Sequence, residues 1–586
     1  MCGINLILDK NNCLDSDYAL QKMNNVLRHR GPDANIAYTI PFNQATVYLG
    51  YVQLALQDKK ANIEHCSKTE SGSHYLAFNG EIYNHKKLRN TNSEYHTHSD
   101  SETLLHYLTG GTHQLDQLEG MFAFVFVDAV TKKITMARDR HGIKPLYYYE
   151  DDNYLIVSSE IKSIHATGLI DKKPNTAQIY NYLRFRHAAK PYTMYEGIMQ
   201  LQEQERLVYR DGKTQLSQWK VENTIPSDIK TEESLVRSIW QCMSGDANVG
   251  LMLSGGVDST LLLAIMKEIQ AEPVPCYSIT TKRDAFYGTS DSEYAHKAAT
   301  RFGGEFLPLE LDRSCFDRLP EFVAAMDQPI GDGAHFLTWL LSEYASKKTR
   351  VLLNGAGADE LFAGYNRHTA FAKYIHYFHT NGTLRSALKT SQKLFPSPAK
   401  QKFIRSISAN AAETFINMTA SNLQFPQPAT AEHEWVGDLL NQALLYDKQH
   451  FLIDDVLALT DHATMQHSIE ARVPYLDNNL CTLLGNMTSD HKTKEGPKWI
   501  LKYLLETRNG KEISQRKKEG FGVQFGAWML ERTSFFDDLL NANNPIYAYL
   551  PFAQVYDMVE AQKTTKVDHK VDLWSLRILS EWLKQF

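Results

Sequence analysis

In the stretch NVGLMLSGGVDSTLLLAIMKEI (248–269), an apolar strand leads through a glycine turn directly into an apolar helix, and this combination constrains the fold most. Further strand-like segments, PVPCYSIT and EFLPLEL, alternate with the helix-like DSEYAHKAATRFG and AHFLTWLLSEYASKK. Alternation at this spacing indicates a parallel sheet with helices on both faces. Because almost every segment beyond 365 has a helical pattern, residues 232–586 are predicted to form an α/β domain with a helical C-terminal region. The preceding residues 211–231, which contain DGK and TIPSDIKTEE, are predicted to be a linker.

Residues 1–210 have a different pattern, in which short strands are separated by turns. GMFAFVFVD (120–128) and NYLIVSS (153–159) are typical: both are rich in β-branched and aromatic residues. Helix-like patches near 16–28 and 99–109 interrupt the strands, and the second begins with SDSE, a capping-box pattern. The region is therefore predicted to be an α+β sandwich, with two packed sheets and helices outside.

Composition narrows the classes of function. The formal net charge is −6, so no overall positive field favours nucleic acid or an anionic membrane as a partner. The start MCGINLILD has no basic leader, and no apolar segment approaches the ~20 residues needed to span a bilayer. The seven cysteines lack CxxC spacing, so neither a disulfide framework nor a zinc site is predicted. We therefore expect a cytoplasmic protein.

The turn LSGGVDST has the residue types of a phosphate-binding loop. Its small residues let backbone N–H groups approach an anion, and the helix that follows adds positive potential. It is not a Walker loop, because no lysine follows the glycines; Ser254, Gly255, Gly256 and Ser259 are predicted to hold the phosphate. Asp258 is assigned to a magnesium ion that bridges pyrophosphate oxygens. For SGG alone, a structural Gly-Gly turn is the alternative.

Together with SGGVDS, several motifs resemble the glutamine-dependent asparagine synthetase family. They are RHRGPD, NGEIYNH, GMFAF, RDRHGIKPLYY, DELFAGYNRH, HSIEARVPYLD and RKKEGFGV, and they follow the family's order over almost the whole chain. The resemblance implies an N-terminal nucleophile hydrolase type of sandwich for the first domain. It also implies ATP, Mg²⁺, glutamine and a carboxylate acceptor as ligands, and a homodimer as the common form.

For Cys2, the resemblance implies the nucleophile of a glutaminase. Removal of Met1 would expose an α-amine, a base already attached to the thiol. In the family this cysteine attacks the side-chain amide of glutamine, while Asn79 and the backbone N–H of Gly80 stabilise the oxyanion. Asp100 would hold the substrate's α-amino group, with Glu81 beside the same pocket. Taken singly, Asn79-Gly80 is also a hairpin signal and Asp100 a helix-cap residue.

Three positions depart from the family pattern. Gln53 stands where an arginine normally pairs with the glutamine α-carboxylate, and a neutral amide cannot replace that bidentate contact. Either glutamine binds weakly, or another cation serves, or the amide donor differs. Ala356 stands where SGxGxDE normally carries an acidic residue near the reacting centre, and Glu506 stands where arginine is common.

The remaining candidates belong to the synthetase half. Lys502 and Lys517 match positions near the leaving pyrophosphate, with Lys498 a close competitor of Lys502, and Asp359 is a second metal candidate. Glu470 matches a position used by related ring-forming enzymes, or else it forms a structural ion pair with Arg472. Adenine is expected against strand ends, and the acceptor near acidic residues that could equally be helix caps. The adenine candidates are Leu253, Ser278 and Gly355; the acceptor candidates are Asp291, Glu293 and Asp332.

The leading hypothesis is an ATP-dependent amidotransferase that forms asparagine from aspartate and glutamine, with AMP and pyrophosphate as products. The first alternative is amidation or ring closure of a different carboxylate, such as a sugar acid or a secondary metabolite. The second is a degenerate, non-catalytic scaffold. Because ammonia protonates in water and an acyl-adenylate hydrolyses there, a protein-lined tunnel between the two domains is predicted.

Overall fold

The structure is a computed structural model. It describes residues 2–14, 16–58, 61–90, 94–111, 114–220, 230–281, 290–395, 397–423, 434–516, 525–532, 534–564 and 568–586. Lys517, which the sequence predicts as an ATP ligand, lies outside the described residues.

Short antiparallel strands build the N-terminal half. They are β1 (Cys2–Asp9), β2 (Ala34–Phe42), β3 (Ala45–Gln53), β4 (His74–Ile82), β5 (Gly120–Asp128), β6 (Lys133–Arg138), β7 (Tyr147–Glu150), β8 (Tyr154–Ser158), β9 (Ile198–Gln200), β10 (Glu205–Arg210) and β11 (Lys213–Gln218). One sheet has the order β2-β3-β1-β8-β7-β9 and the other β11-β10-β6-β5-β4. These strands are rich in β-branched and aromatic residues, which favour an extended backbone, and in the central strands β1 and β5 nearly every residue is buried.

The two sheets pack face to face, with Ile4, Leu6 and Leu8 of β1 in the same buried cluster as Val125 and Val127 of β5. Helices flank the sheets, and Ile7 packs with Leu20 and Met23 of the first of them. These helices are α1 (Tyr18–Val26), α2 (Ile63–Ser67), α3 (His85–Leu88), α4 (Asp100–Thr109), α5 (Ile161–Ala166) and α6 (Thr176–Phe185). The predicted α+β sandwich is confirmed.

The boundary between the halves differs from the prediction at one point. Lys213–Gln218 is the edge strand β11, although the sequence assigned 211–231 to a linker. The DGK signal is a two-residue hairpin turn: Asp211 and Gly212 both have positive φ, of 50° and 77°, and Arg210 pairs with Lys213. An Asp-Gly pair with this backbone geometry joins two strands, so the first sheet-forming region continues past residue 210.

A parallel sheet forms the centre of the C-terminal half. Its strands are β12 (Val249–Met252), β13 (Val274–Thr281), β14 (Gly304–Leu311), β15 (Val351–Leu353) and β16 (Glu470–Arg472), in the order β14-β13-β12-β15-β16. All of its pairs are parallel. The chain leaves β12 towards β13 and later returns to the other side of β12 as β15, so the strand order reverses between β12 and β15. Ligands of such sheets bind at this reversal, beside the carboxyl ends of the strands.

Helices surround this sheet and fill the remainder of the C-terminal half, as the sequence predicts. They are α7 (Thr231–Cys242), α8 (Val257–Ile269), α9 (Ser290–Phe302), α10 (Leu319–Ala325), α11 (Gly333–Ala345), α12 (Ala358–Leu361), α13 (Asn366–Tyr377), α14 (Gly382–Thr390), α15 (Pro398–Ser406), α16 (Ala411–Thr419), α17 (Leu439–Gln449), α18 (Ala458–Met465), α19 (Asn478–Gly485), α20 (Ser489–Thr493), α21 (Trp499–Thr507), α22 (Lys511–Ser514), α23 (Phe525–Glu531), α24 (Ser534–Asp537), α25 (Phe552–Lys563) and α26 (Lys570–Leu583). A π-helical segment, Leu452–Leu457, leads into α18. Within the described ranges, no helix combines the length and apolar character needed to cross a membrane.

The two halves share buried side chains. Leu54, Met121 and Ile143 of the N-terminal half belong to the same apolar cluster as Leu253 and Val473 of the C-terminal half. A second shared cluster includes Tyr182 on α6 and Trp574 on α26. The two halves therefore pack against each other through shared apolar clusters.

Candidate active sites

Cys2 lies at the start of β1 and is held from the opposite sheet. Its backbone N–H donates to Asn79 Oδ1 on β4 at 3.2 Å, and its Sγ lies 2.9 Å from the hydroxyl of Tyr51. Arg30 Nε donates to the carbonyl oxygen of Cys2 at 3.3 Å. Cys2 is thus held through its backbone N–H, its carbonyl oxygen and its sulfur.

Burial raises the pKa of the Cys2 thiol, while the positive charge of the amino terminus and the Tyr51 hydrogen bond lower it. The thiol therefore stays protonated at rest and needs a base when it reacts. Burial also raises the pKa of Tyr51 well above its ordinary value, so Tyr51 contacts the sulfur as a neutral phenol. Tyr51 was not among the residues predicted from the sequence.

Asn79 and Gly80 are the predicted oxyanion-stabilising pair, and Asn79 contacts the backbone of Cys2. Because Asn79 Oδ1 accepts from Cys2, its Nδ2 is the remaining polar group, and it has no hydrogen-bond partner among the described residues. Gly80 has a φ of 150°, and a Cβ at this position would lie 2.0 Å from the carbonyl oxygen of Met121. The backbone at Gly80 therefore requires glycine, and the pair provides donors of the kind that stabilise an oxyanion.

Gly80→Ala should test this requirement. The added Cβ would force β4 away from β5, and a displacement of about 1 Å at a catalytic group costs on the order of 100-fold in rate. We expect that loss in glutamine-dependent activity, measured as glutamate release, with activity on ammonium salts retained. Gly110→Ala is the matched control, because a Cβ there meets nothing closer than 3.5 Å. Equal losses for both variants would contradict the assignment.

Two buried carboxyl groups, Asp100 and Glu81, lie beside Cys2. Asp100 Oδ2 accepts from the backbone N–H of Ile82 at 2.9 Å, which joins the first turn of α4 to the end of β4. Burial raises the pKa of both carboxyl groups. Glu81 already pairs with the Arg472 guanidinium, so an ammonium group of a ligand would be stabilised mainly by Asp100, because a buried carboxylate is costly unless a cation lies nearby.

Arg472 connects this pocket to the C-terminal half. Its Nη2 lies 3.0 Å from Glu81 Oε2, its Nε donates to Glu470 Oε1, and its Nη1 donates to the carbonyl oxygens of Cys242 and Ser244. Although burial alone raises the pKa of Glu470, the Arg472 guanidinium brings it below its ordinary value. Glu470 therefore forms the ion pair with Arg472 that was predicted as the alternative to a catalytic role.

Gln53 is paired with Cys2 in the register of β1 and β3, so it lies directly across from the nucleophile. A cleft of about 380 Å³ is lined by Gln57, Glu81, Lys86, His98 and Trp240 among others, and Gln53 does not belong to its lining. Lys86 brings an exposed positive charge to this cleft. Gln53 itself provides no positive charge for a carboxylate.

The predicted phosphate loop, residues Ser254–Ser259, connects β12 to α8 at the strand-order reversal. The hydroxyl oxygens of Ser254 and Ser259 lie 3.1 Å apart, and the backbone N–H of Ser254 donates to Ser259 Oγ at 3.2 Å. Gly255 has a φ of 67°, and a Cβ there would lie 2.5 Å from the backbone nitrogen of Ala295. The loop thus wraps tightly over the first turn of a 13-residue helix, as anion-binding loops do.

A lysine joins two carboxylates beside this loop. Lys498 Nζ lies 2.7 Å from Asp258 Oδ2 and 2.6 Å from Asp359 Oδ1. Although burial alone lowers the pKa of Lys498, Asp258 and Asp359 raise it above its ordinary value, so the amine stays charged. Lys502 lies one helical turn further along α21 and is partly exposed. The structure therefore brings Lys498, rather than Lys502, to the carboxylates.

Glycines allow this close approach. A Cβ at Gly364 would lie 2.0 Å from Lys498 Cε and 2.1 Å from Asp359 Oδ1. A Cβ at Gly355 would lie 3.2 Å from Cβ of Asp258. The bare backbone at these positions leaves room for the ion-paired side chains.

Asp258 and Asp359 also suit a magnesium ion. Mg²⁺ is commonly held by one or two carboxylates while phosphate oxygens and water complete its shell. No group of three or more metal-ligating side chains occurs in the parts of the chain that the structure describes. The pair therefore fits a metal that arrives with a nucleotide better than a permanently bound one.

The predicted adenine contacts lie where open sheets bind ligands. Leu253 directly follows β12, and its backbone N–H donates to the carbonyl oxygen of Tyr277. Ser278 lies on the neighbouring β13, and Gly355 follows β15. Ala356 packs partly buried against the shared apolar cluster, with its backbone N–H donating to Asn354 Oδ1 at 2.9 Å.

Two of the acceptor candidates already have protein partners. Asp332 Oδ1 accepts from Ala334 N at 2.8 Å and so caps α11, which was its alternative role. Asp291 pairs with Arg516, and Glu293 is exposed on α9. Glu506 accepts from the hydroxyl of Ser514 at 2.6 Å.

Arg30 is a residue whose role the sequence did not reveal, although it lies in the quoted motif RHRGPD. Its guanidinium is buried between Glu160 of the N-terminal half and Asp461 of the C-terminal half, at 2.9 Å from each. Because it also binds the carbonyl oxygen of Cys2, Arg30 couples the nucleophile's strand to α18. The presence of an arginine in this motif was the only hint of its role. Its partners Glu160 and Asp461 are distant in sequence, so the motif alone could not identify them.

Comparisons with known proteins agree with this arrangement. A family model described as asparagine synthase matches residues 230–584, and one described as a glutamine amidotransferase domain matches residues 1–220. The glutamine-hydrolysing asparagine synthetase 1 of Bacillus subtilis (strain 168) is 25% identical, over 99% of this chain and 96% of its own length. A putative glutamine-hydrolysing asparagine synthetase of Mycobacterium tuberculosis is 26% identical, over 97% and 94%. A putative second one of Methanocaldococcus jannaschii is 30% identical, over 63% and 76%.

Proposed function

Because the chain belongs to the asparagine synthase family and carries a glutamine amidotransferase domain, we propose that it is an ATP-dependent amidotransferase. It takes ammonia from glutamine at Cys2 and forms an amide on an adenylated carboxylate. The observation that carries this proposal is the apolar cluster that extends from the surroundings of Cys2 to the phosphate loop.

In the first reaction, the Cys2 sulfur attacks the side-chain carbonyl carbon of glutamine. The thiol proton passes to the leaving nitrogen, by way of a base that the α-amine supplies once Met1 is removed. Asn79 Nδ2 and the N–H of Gly80 stabilise the oxyanion of the tetrahedral intermediate. Ammonia departs, and water hydrolyses the thioester to glutamate and free thiol. Asp100 binds the α-ammonium group of glutamine, with Glu81 beside the same pocket.

In the second reaction, a carboxylate oxygen of the acceptor attacks the α-phosphorus of ATP, and pyrophosphate leaves. We infer that the phosphate loop holds the pyrophosphate portion and that Lys498 stabilises the charge that develops on it. Mg²⁺, when bound by Asp258 and Asp359, would supply further positive charge to the phosphates. Ammonia then attacks the acyl carbon, and AMP is released.

The shared apolar cluster is our candidate for the lining of the ammonia path. Leu54 and Met121 lie on the Cys2 side of this cluster, and Leu253, Val473 and Leu476 lie on the side of the parallel sheet. An apolar lining favours neutral ammonia over ammonium and keeps water from the acyl-adenylate. The tunnel predicted from the sequence stays a prediction, with these residues as its candidate walls.

The acceptor is proposed to be aspartate, because relatives that match the whole chain carry the name asparagine synthetase. Ala356 favours a second candidate, in which a different carboxylate is amidated or closes a ring. A methyl group cannot supply the acid/base chemistry of the family's carboxylate at this position. The second candidate therefore needs an acceptor that brings its own polar groups to the site.

Pyrophosphate release from ATP, followed over a panel of carboxylates, tests the proposal. Glutamine and ammonium chloride would each serve as nitrogen source. Release with aspartate confirms the first candidate, and release only with another acid confirms the second. Bound ATP without turnover on any acid would instead support a non-catalytic scaffold.

Gln53→Arg should restore the missing contact to the α-carboxylate of glutamine. A bidentate charged pair contributes about 2 kcal/mol or more, so the KM for glutamine should fall roughly tenfold or further. The KM for ammonium should not change. Gln57→Arg is the matched control, because it adds the same charge four residues further along, in the cleft that Glu81 also lines. An unchanged glutamine KM in Gln53→Arg would show that another group binds the carboxylate.

We also infer a cytoplasmic homodimer. All seven cysteines are free, which agrees with a reducing compartment. Light scattering of the purified protein would give the oligomeric state.

A further inference from the structure

Charge is distributed very unevenly along the chain. Residues 361–412 contain eight Lys and Arg and no Asp or Glu, whereas the chain as a whole has 68 acidic residues in 586. That average predicts about six acids in a stretch of this length. Because the net charge of the whole protein is −6, the rest of the chain carries −14. Nucleic acid and anionic membranes were excluded as partners from the net charge alone, and the net charge does not describe this local excess of positive charge.

Most of this stretch forms one region, the basic lobe, which we define as helices α13–α15. The lobe packs on a small core that it shares with α16 and α17, in which Phe371 and Tyr374 lie in one cluster with Ile407 and Phe415. Its first helix is fastened to α17, since Arg367 Nε and His368 Nε2 both lie 2.7 Å from Asp447 Oδ2. The lobe is therefore a folded part of the protein.

The exposed cations of the basic lobe are not neutralised. Lys373, Lys389, Lys400 and Arg405 are exposed. None of them forms an ion pair within the ranges that the structure describes. Elsewhere on the surface, exposed cations commonly pair, as Lys297 does with Glu512. The lobe thus presents a positive field to solvent.

Apolar side chains are exposed on the same region. Leu394 is 79% exposed, Tyr377 is 55% exposed and Leu384 is 40% exposed. Helix α14 has no buried residue at all, although leucine or alanine occupies several of its positions. Lysines and arginines combined with exposed leucine and tyrosine are typical of helices that lie in a membrane interface.

We propose that the basic lobe docks on the surface of an anionic lipid bilayer. The lysines and arginine would meet the lipid headgroups, and Leu394, Leu384 and Tyr377 would enter the boundary of the acyl chains. A soluble polyanion would satisfy the cations but leave these apolar side chains in water. Because the remainder of the protein is strongly negative, an anionic surface would repel it and so orient the lobe towards the lipid.

Co-sedimentation of the full-length protein with vesicles tests this docking. We expect binding to phosphatidylcholine vesicles that contain phosphatidylglycerol, weak binding to pure phosphatidylcholine, and loss of binding at high salt. Each surface cation contributes a factor of about five in partitioning, so the triple variant Lys373→Gln, Lys389→Gln, Lys400→Gln should bind on the order of 100-fold more weakly.

A second triple variant matches the change in charge. Lys213→Gln, Lys347→Gln and Lys494→Gln remove three exposed lysines outside the lobe, and binding should fall much less. Leu394→Ser, which keeps every charge, should weaken binding several-fold. Equal losses in the two triple variants would overturn the proposal. So would retention on dextran sulfate without binding to vesicles, which would identify a soluble polyanion as the partner.

Activity in solution separates this inference from the proposed function. None of the substituted residues lies in either candidate site, so glutamate release and pyrophosphate release without vesicles should be unchanged in all these variants. Failure to bind vesicles would leave the amidotransferase assignment intact. Failure of the amidotransferase assays would likewise leave the vesicle result valid.

Discussion

Cys2→Ala should abolish glutamine-dependent amide formation and leave ammonium-dependent formation close to its original rate. The alanine cannot form the thioester, and removal of a catalytic nucleophile costs on the order of 10³-fold or more in kcat. Ammonium bypasses the first reaction, because ammonia from solution can reach the acyl-adenylate. The ratio of the two rates, measured as pyrophosphate release with each nitrogen source, is therefore the sensitive quantity.

Cys66→Ala is the matched control for this substitution. Cys66 is also a buried cysteine of the N-terminal half, and burial raises the pKa of its thiol to about 11. The backbone nitrogen of Cys66 belongs to a peptide bond and is not basic. Cys66 therefore lacks the α-amine that Cys2 gains when Met1 is removed. We expect both activities to survive in Cys66→Ala. If Cys2→Ala lost both activities equally, the division of the two reactions between the halves would be wrong.

The sequence predicts the N-terminal strands well because their enrichment in β-branched and aromatic residues is a local property. GMFAFVFVD corresponds to β5 residue for residue, and SDSE begins α4, with Ser99 accepting from the backbone N–H of Ser101. The phosphate loop is also local, since a strand, a glycine turn and a helix are contiguous in the chain. Local patterns of this kind determine where elements begin and end, within a few residues.

Contacts between distant residues are not accessible in this way. Arg472 binds Glu81, 391 residues away, and Arg30 binds Asp461, 431 residues away. Glu470 was predicted to take part in the synthetase reaction or to pair with Arg472. Which of these roles it has depends on how the two halves pack around β16, and the sequence does not show this. Strand β11 was missed because an Asp-Gly turn has the same composition whether it ends a domain or closes a hairpin.

The choice between Lys498 and Lys502 illustrates a third limit. Residues four positions apart occupy the same face of a helix, so spacing alone cannot separate them. Lys498 is not within the helix: it precedes α21 with a φ of 56°, in the left-handed region. In this conformation the amine of Lys498 lies between Asp258 and Asp359. Nothing in the sequence indicates that Lys498 adopts a left-handed backbone conformation.

Lys498→Gln should reduce pyrophosphate release by about 10²–10³-fold with either nitrogen source, because one preorganised charge at a phosphoryl centre contributes that much. Glutamate release from glutamine in the absence of ATP should continue. Its persistence shows that the variant is folded, which matters because removal of one partner from a buried ion pair costs about 3–5 kcal/mol. Lys498→Gln and Cys2→Ala are thus expected to fail in opposite halves of the reaction.

Lys502→Gln is the control that decides between the two lysines. Lys502 is partly exposed and one turn away from the carboxylates, so its loss should change pyrophosphate release by less than about tenfold. A large loss in Lys502→Gln with little effect in Lys498→Gln would reverse the assignment. Adding Asp359→Asn to Lys498→Gln separates charge balance from catalysis, because it removes one of the two carboxylates that the lysine neutralises. Recovery of thermal stability in this double variant without recovery of pyrophosphate release would show that Lys498 acts on the phosphates as well as on its two partners.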